Sequence, residues 1–281
     1  MKKIISAMIC LFLLVGCSTK QQNIDIKNNK NKETIDLKVG FGLHDIDKGY
    51  SFNGENVDIY YDYEVEGRDS MFGLMIFING IPQTIESGNQ KGLIYTFKGK
   101  KNTNITNHVS IRPNTGNKGD HLYMHAFLIA DYEIVDSLKY LNNKQHMMAC
   151  GTTFIEINHD TNKENINTRD DYKLIDYTED LLKHDDPNYF DNNLLIQFPN
   201  NQNGNFKKNK PITIKMSGIS DNYLLWIFED LKPVTNYYIQ LPKSKSAIFT
   251  YKPKNNTKNI KAIAIPLSDN LPEESKSLVV K

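Results

Sequence analysis

The chain has 281 residues, with 34 lysines and arginines against 33 aspartates and glutamates, a formal net charge of +1. That balance supplies no global field to recruit nucleic acid or an anionic lipid surface. The three cysteines, Cys10, Cys17 and Cys150, are too few for a disulfide framework, and the length is enough for two ordinary domains.

The chain opens with Lys2 and Lys3, an apolar run from Ile4 to Val15, and then Gly16-Cys17-Ser18-Thr19. A basic start before a short apolar core is an export signal. The run is about a dozen residues, short of the roughly 20 that cross a bilayer as a helix, so residues 1–16 are expected to be removed. Leu14-Val15-Gly16-Cys17 resembles the lipobox of bacterial lipoprotein precursors. The resemblance covers only this segment. It implies a diacylglyceryl group on the Cys17 thiol, cleavage before Cys17, and anchoring at the extracytoplasmic face of a membrane. Two acyl chains, at about 0.8 kcal/mol per buried methylene, hold a protein there stably. Losing Lys2 and Lys3 leaves 32 basic and 33 acidic side chains. Heavy use of Asn and Lys points to an AT-rich genome and a Gram-positive source. In a two-membrane bacterium, Ser18 after the cysteine would by the same resemblance permit transport to the outer membrane.

Residues 17–33 are polar, with Ile24 and Ile26 their only aliphatic side chains, and are expected to form a flexible tether. Strand patterns follow. Val57, Ile59, Tyr61, Tyr63 and Val65 alternate with Asp58, Tyr60, Asp62, Glu64 and Glu66, which predicts a strand with one buried and one wet face. Similar runs at Ile35–Leu43, Phe72–Ile81, Leu93–Lys98, His108–Arg112, His121–Ile134 and Met147–Ile157 make a first β-sandwich over 34–158. Cys150 falls in its last strand and is expected to be a small buried thiol.

A second set of runs lies between Asn193 and Lys281 and predicts a smaller sandwich over 190–281. The two sets resemble each other. Met75-Ile76-Phe77-Ile78-Asn79 before Pro82 lies on Trp226-Ile227-Phe228-Glu229-Asp230 before Pro233. Val109–Pro113 lies on Phe249–Pro253, and Tyr123–Phe127 on Ile260–Ala264. This predicts a diverged tandem repeat of immunoglobulin-like sandwiches, with Trp226 in the core. The fold class is therefore all-β.

Residues 159–189 form an acidic, Asn-rich linker, within which Tyr172, Ile175, Leu181 and Leu182 can share a helical face over Asp170–His184 before Pro187. Because this segment interrupts the strand pattern, each sandwich is expected to fold alone. It also offers a cap for Leu74–Ile78, a run apolar on both strand faces and so in need of a cover.

Chemistry is sparse. On a strand, His121 and His125 lie about 13 Å apart, too far for one metal ion. Asp45, Asp47, Glu55 and Asp58 line an oxygen-rich stretch without the glycine and final glutamate of a calcium loop. Asp180, Asp185, Asp186 and Asp191 suit a solvated linker surface. With no phosphate loop, zincin motif or nucleophile elbow, neither a catalytic residue nor a cofactor nor a metal is assigned. The expected function is a surface-anchored binding or interaction module, its partner another envelope protein or a glycan, with an envelope hydrolase or substrate-binding component as the alternative. The binding residues expected are Asp45, Asp47, Glu55, Asp58 and Tyr60, since function concentrates on loops held by a rigid scaffold.

Overall fold

The computed structural model describes residues 37–132, 148–163, 166–177 and 189–280. The signal, Cys17, the tether, and Asp180, Asp185 and Asp186 lie outside the described residues. Residues 35–281 make one compact unit.

In chain order the first half contains β1 (Lys38–Leu43), β2 (Tyr50–Phe52), β3 (Val57–Glu66), β4 (Ser70–Ile78), β5 (Ile81–Pro82), β6 (Ile85–Ser87), β7 (Gln90–Gly92), β8 (Tyr95–Gly99), β9 (Thr103–Ile111), β10 (His121–Ala130) and β11 (Met148–Ile157). The rest contains β12 (Thr168–Arg169), β13 (Lys173–Asp176), a single helical turn α1 (Tyr189–Asn192), β14 (Leu195–Gln197), β15 (Asn205–Phe206), β16 (Ile212–Ser217), β17 (Asp221–Glu229), β18 (Lys232–Leu241), β19 (Lys245–Tyr251), β20 (Asn259–Pro266), β21 (Glu273–Glu274) and β22 (Leu278–Val280). The protein is all-β, two immunoglobulin-like sandwiches in tandem.

The first sandwich packs the sheet β1-β3-β9-β6-β7 on the sheet β2-β11-β10-β4-β5, with β8 also on β4. The second packs β13-β19-β16-β14 on β12-β18-β17-β20-β22-β15. The pairing repeats. β1 on β3 on β9 corresponds to β14 on β16 on β19, and parallel β2 on β11 corresponds to parallel β15 on β22. The repeat extends to turns. Asn79-Gly80 and Asp230-Leu231 both have positive φ and close two-residue hairpins, between Ile78 and Ile81 and between Glu229 and Lys232, the geometry whose twist matches paired strands.

Among the described residues, three apolar cores hold this arrangement. Val57, Ile59, Tyr61, Tyr63 and Val65 of β3 point into the first, as alternation predicts, against Phe72, Leu74, Ile76 and Ile78 of β4. Ile212, Ile214 and Met216 face Tyr223, Leu225 and Ile227 in the second. The third joins the sandwiches: Met75, Phe77, Phe127 and Ile129 pack against Leu224, Trp226, Phe228, Ile263 and Ile265. Strands buried on both faces lose alternation and become continuous apolar runs, which explains Leu74–Ile78.

Several expectations change accordingly. The cover over β4 comes from the second sandwich, and Trp226 sits in this junction instead of a sandwich core. The third repeat match is out by one residue: Met75 pairs with Phe127 and Trp226 with Ile263, so Phe127 corresponds to Ile263, and a one-residue slip exchanges the faces of a strand. The described part of the expected helix over 170–184 is strand, with Lys173–Asp176 pairing antiparallel to β19. An available sheet edge outweighed a weak helical stripe, while Leu181 and Leu182 fall outside the described residues. Cys150, opposite Phe127 on β11, is half-buried against the junction, because β11 lies beside rather than beneath the second sandwich. With the third core shared, neither half carries all of its buried surface by itself.

Candidate functional site

The outward face of β3 supplies the site. Register sets Tyr60 opposite His108, Asp62 opposite Thr106 and Asp58 opposite Ser110. Tyr60 is 42% exposed. Its ring stacks on His108 at 5.2 Å between centroids and 30° between planes, and the His44 ring lies 6.4 Å away on the other side. Three rings thus line up across β3, β9 and the bend that follows β1.

Polar contacts fix the ladder. His44 Nε2 lies 2.9 Å from Asp62 Oδ2, and Thr106 Oγ1 donates to Asp62 Oδ1 at 2.5 Å. The Thr106 hydroxyl, with a smaller contribution from His44, lowers the Asp62 carboxyl below the usual carboxylate range. Ser110 Oγ donates to Asp58 Oδ1. Beneath them the hydroxyl of the buried Tyr50 donates to the carbonyls of His44 (3.0 Å) and Tyr60 (3.3 Å). Burial pushes that phenol up to about 12, so it stays a donor at any physiological pH.

Beside His108 the sheet forms a cleft of about 210 Å³ lined by Asn56, Glu86, Ser87, Gly88, His108, Val109 and Ser110. Lys91 Nζ lies 2.6 Å from Glu86 Oε1 and, more than any other group, holds that carboxyl low.

Of the residues expected from sequence, Asp58 and Tyr60 belong to this constellation. Asp45 and Asp47 lie in the exposed turn after β1, where the Asp45 carbonyl accepts from the Lys48 and Gly49 amides, and Glu55 lies in the turn before β3. Among the described residues no three His, Cys, Asp or Glu side chains gather in a metal-binding arrangement. His121 and His125 both lie on β10 and part company: His121 stacks on Phe154, whereas His125 is fully buried at the junction. Its Nε2 lies 3.1 Å from the Pro266 carbonyl and its Nδ1 2.9 Å from Thr152 Oγ1. The carbonyl can only accept, so Nε2 carries the hydrogen and Nδ1 accepts from the hydroxyl.

His44, His108, Asn56 and Glu86 escaped the sequence reading. Period-two alternation turns Tyr60 outward, but only strand register says what stands beside it.

No protein-family model matches the chain, and no curated protein matches it. Among solved structures it is similar to the crystal structure of the periplasmic chaperone SfaE, at 12% identity over 87% of this chain and 100% of that one, with a TM-score of 0.22. A superposition that loose carries no argument about ligands or partners.

Proposed function

We propose that the chain is a lipid-anchored protein of the extracytoplasmic membrane face whose first sandwich binds an envelope component through the His44–Tyr60–His108 face. The observation that carries the binding reading is Tyr60, an exposed aromatic ring held between two imidazoles and flanked by tied carboxylates and hydroxyls. A large ring fixed in place contributes contact area at little entropic cost, which is why tyrosine is enriched where proteins recognise ligands. The lipid anchor rests on Lys2, Lys3, the apolar run and the Leu14–Cys17 lipobox.

Two measurements test these halves separately. Cells grown with labelled palmitate should yield labelled protein, and Cys17→Ser should abolish both label and cleavage before residue 17. An unmodified Cys17 in the processed wild-type chain would refute the anchor. For the binding half, residues 18–281, which lack both the apolar run and the lipidated cysteine and contain the whole compact unit, should sediment with isolated cell envelopes. Tyr60→Ala should reduce the sedimented fraction at least fivefold without lowering Tm. Equal sedimentation of the two proteins would place binding elsewhere or dismiss it.

A further inference from the structure

Most polar groups outside this face are consumed internally. Glu229 accepts from the Tyr251 hydroxyl and the Lys254 amide, Lys261 pairs with Glu274, and His125 belongs to the junction. The cleft beside His108 is different, because its polar groups also border open space: Lys91 and Asn56 meet Glu86 and Ser110 donates to Asp58, yet all but Lys91 and Asp58 line the cleft. Its volume of about 210 Å³ is below the roughly 300–1,000 Å³ of sites that enclose drug-sized molecules, so it has room for one ring.

The lining chemistry narrows the ligand. Asn56 offers an amide that both donates and accepts, Ser87 offers a hydroxyl that does the same, Ser110, whose hydrogen goes to Asp58, offers an acceptor oxygen, and Glu86 offers carboxylate oxygens. Adjacent hydroxyls on a ring, each donor and acceptor at once, match such a wall. Lys91 answers the charge of Glu86 at 2.6 Å, and Ser110 occupies one oxygen of Asp58. A cation is therefore not specially invited. Val109 is the only aliphatic residue in the lining and its side chain is buried in the first core. An apolar peptide anchor would find no pocket of the kind that carries protein–protein hot spots. The His108 ring, backed by Tyr60 stacked behind it, supplies an aromatic surface against which the C–H face of a ring can lie.

We propose that this cleft receives one pyranose unit of an uncharged envelope glycan, with the His108 ring, backed by Tyr60, as its platform and Asn56, Glu86, Ser87 and Ser110 as its hydrogen-bonding wall. This rests on the binding reading above and names its ligand class.

The test uses residues 18–281, which contain the whole compact unit, and four probes: chitotriose, cellotriose, maltotriose and xylotriose. Saturation-transfer NMR should show transfer to at least one trisaccharide, with shifts of the His108 ring resonances on titration. His108→Ala and Glu86→Gln should each weaken that binding at least tenfold, and both variants should melt as the parent does. If a variant fails to fold, the His108 shifts in the parent protein decide. No transfer to any of the four, or binding indifferent to both His108→Ala and Glu86→Gln, overturns the saccharide assignment. Protease-stripped envelopes separate this from failure of the binding reading. Tyr60-dependent sedimentation that survives stripping supports the glycan. Sedimentation abolished by stripping overturns the glycan while leaving a protein-binding face.

Discussion

Trp226→Ala is expected to lower the free energy of unfolding by roughly 3–5 kcal/mol, the range for removing a large buried aromatic side chain. Total stabilities are about 5–15 kcal/mol, so this one residue carries a large share. Two contributions combine at the site. The indole packs in the junction among Met75, Phe77, Phe127, Phe228 and Ile263, and its Nε1 donates to the Gly80 carbonyl at 2.8 Å. Gly80 has φ of +76°, and a Cβ there would stand 2.7 Å from Leu224 Cδ1 of the other sandwich, so the turn fits only as glycine and sets its carbonyl against the indole. Trp226→Phe keeps much of the packing and leaves that carbonyl unpartnered, at a cost of about 1–3 kcal/mol. Urea unfolding of the full chain measures both. The order alanine worse than phenylalanine worse than wild type is expected. A Trp226→Ala protein within 1 kcal/mol of wild type would mean that the junction contributes little to stability.

Acidification should weaken the same junction through His125. Burial, the largest influence, pushes this imidazole from 6.5 down to about 4, while the Pro266 carbonyl and Asp221 pull it more weakly the other way. Asp221 is itself engaged by Ser268 and by Asn270 Nδ2. In the unfolded chain the histidine takes a proton below about pH 6.5, and in the folded chain it refuses one until about pH 4. The unfolded state therefore binds more protons across that window, and stability falls as the pH drops through it. The full loss is about 3 kcal/mol, of which about 2 kcal/mol is gone by pH 5. His125→Gln removes the titration, so its unfolding free energy should change less between pH 7.5 and pH 5 than that of wild type. Parallel pH profiles for the two proteins would exclude His125 as the source.

The parts of the fold legible in the sequence were those where one physical cause acts alone. β3 alternates because one side is core and the other water, and its ten residues follow the expected pattern of burial. Leu74–Ile78 announced a second covered face, but hydropathy says only that a cover is needed and cannot say which segment provides it. The linker was nearest in sequence; the second sandwich is nearest in space. Lys173–Asp176 shows the opposite limit. A short stretch whose two apolar residues, Leu174 and Ile175, stay exposed takes the conformation its neighbour dictates, and β19 offered a row of backbone partners. At the site, Tyr60 was visible because alternation fixes its side of the sheet. His108 and His44 were not, because their place beside it depends on the registers of β9 and β1, which no local pattern encodes.

The junction also sets an order of events. His125 meets Pro266 and Trp226 meets Gly80 across 141 and 146 residues of chain. A chain made from its N-terminus at about 5–20 residues per second completes β11 some 5–20 seconds before β20 exists. Through that interval a finished first sandwich would hold Met75, Phe77, Phe127 and Ile129 bare to solvent, a sticky sheet face awaiting a partner not yet synthesised. Nascent chains on neighbouring ribosomes carry the same face, and intermolecular pairing through it competes with the slower arrival of the correct one. Yield during biosynthesis is thus governed by how quickly residues 221–265 follow, and by whatever shields that surface until they do.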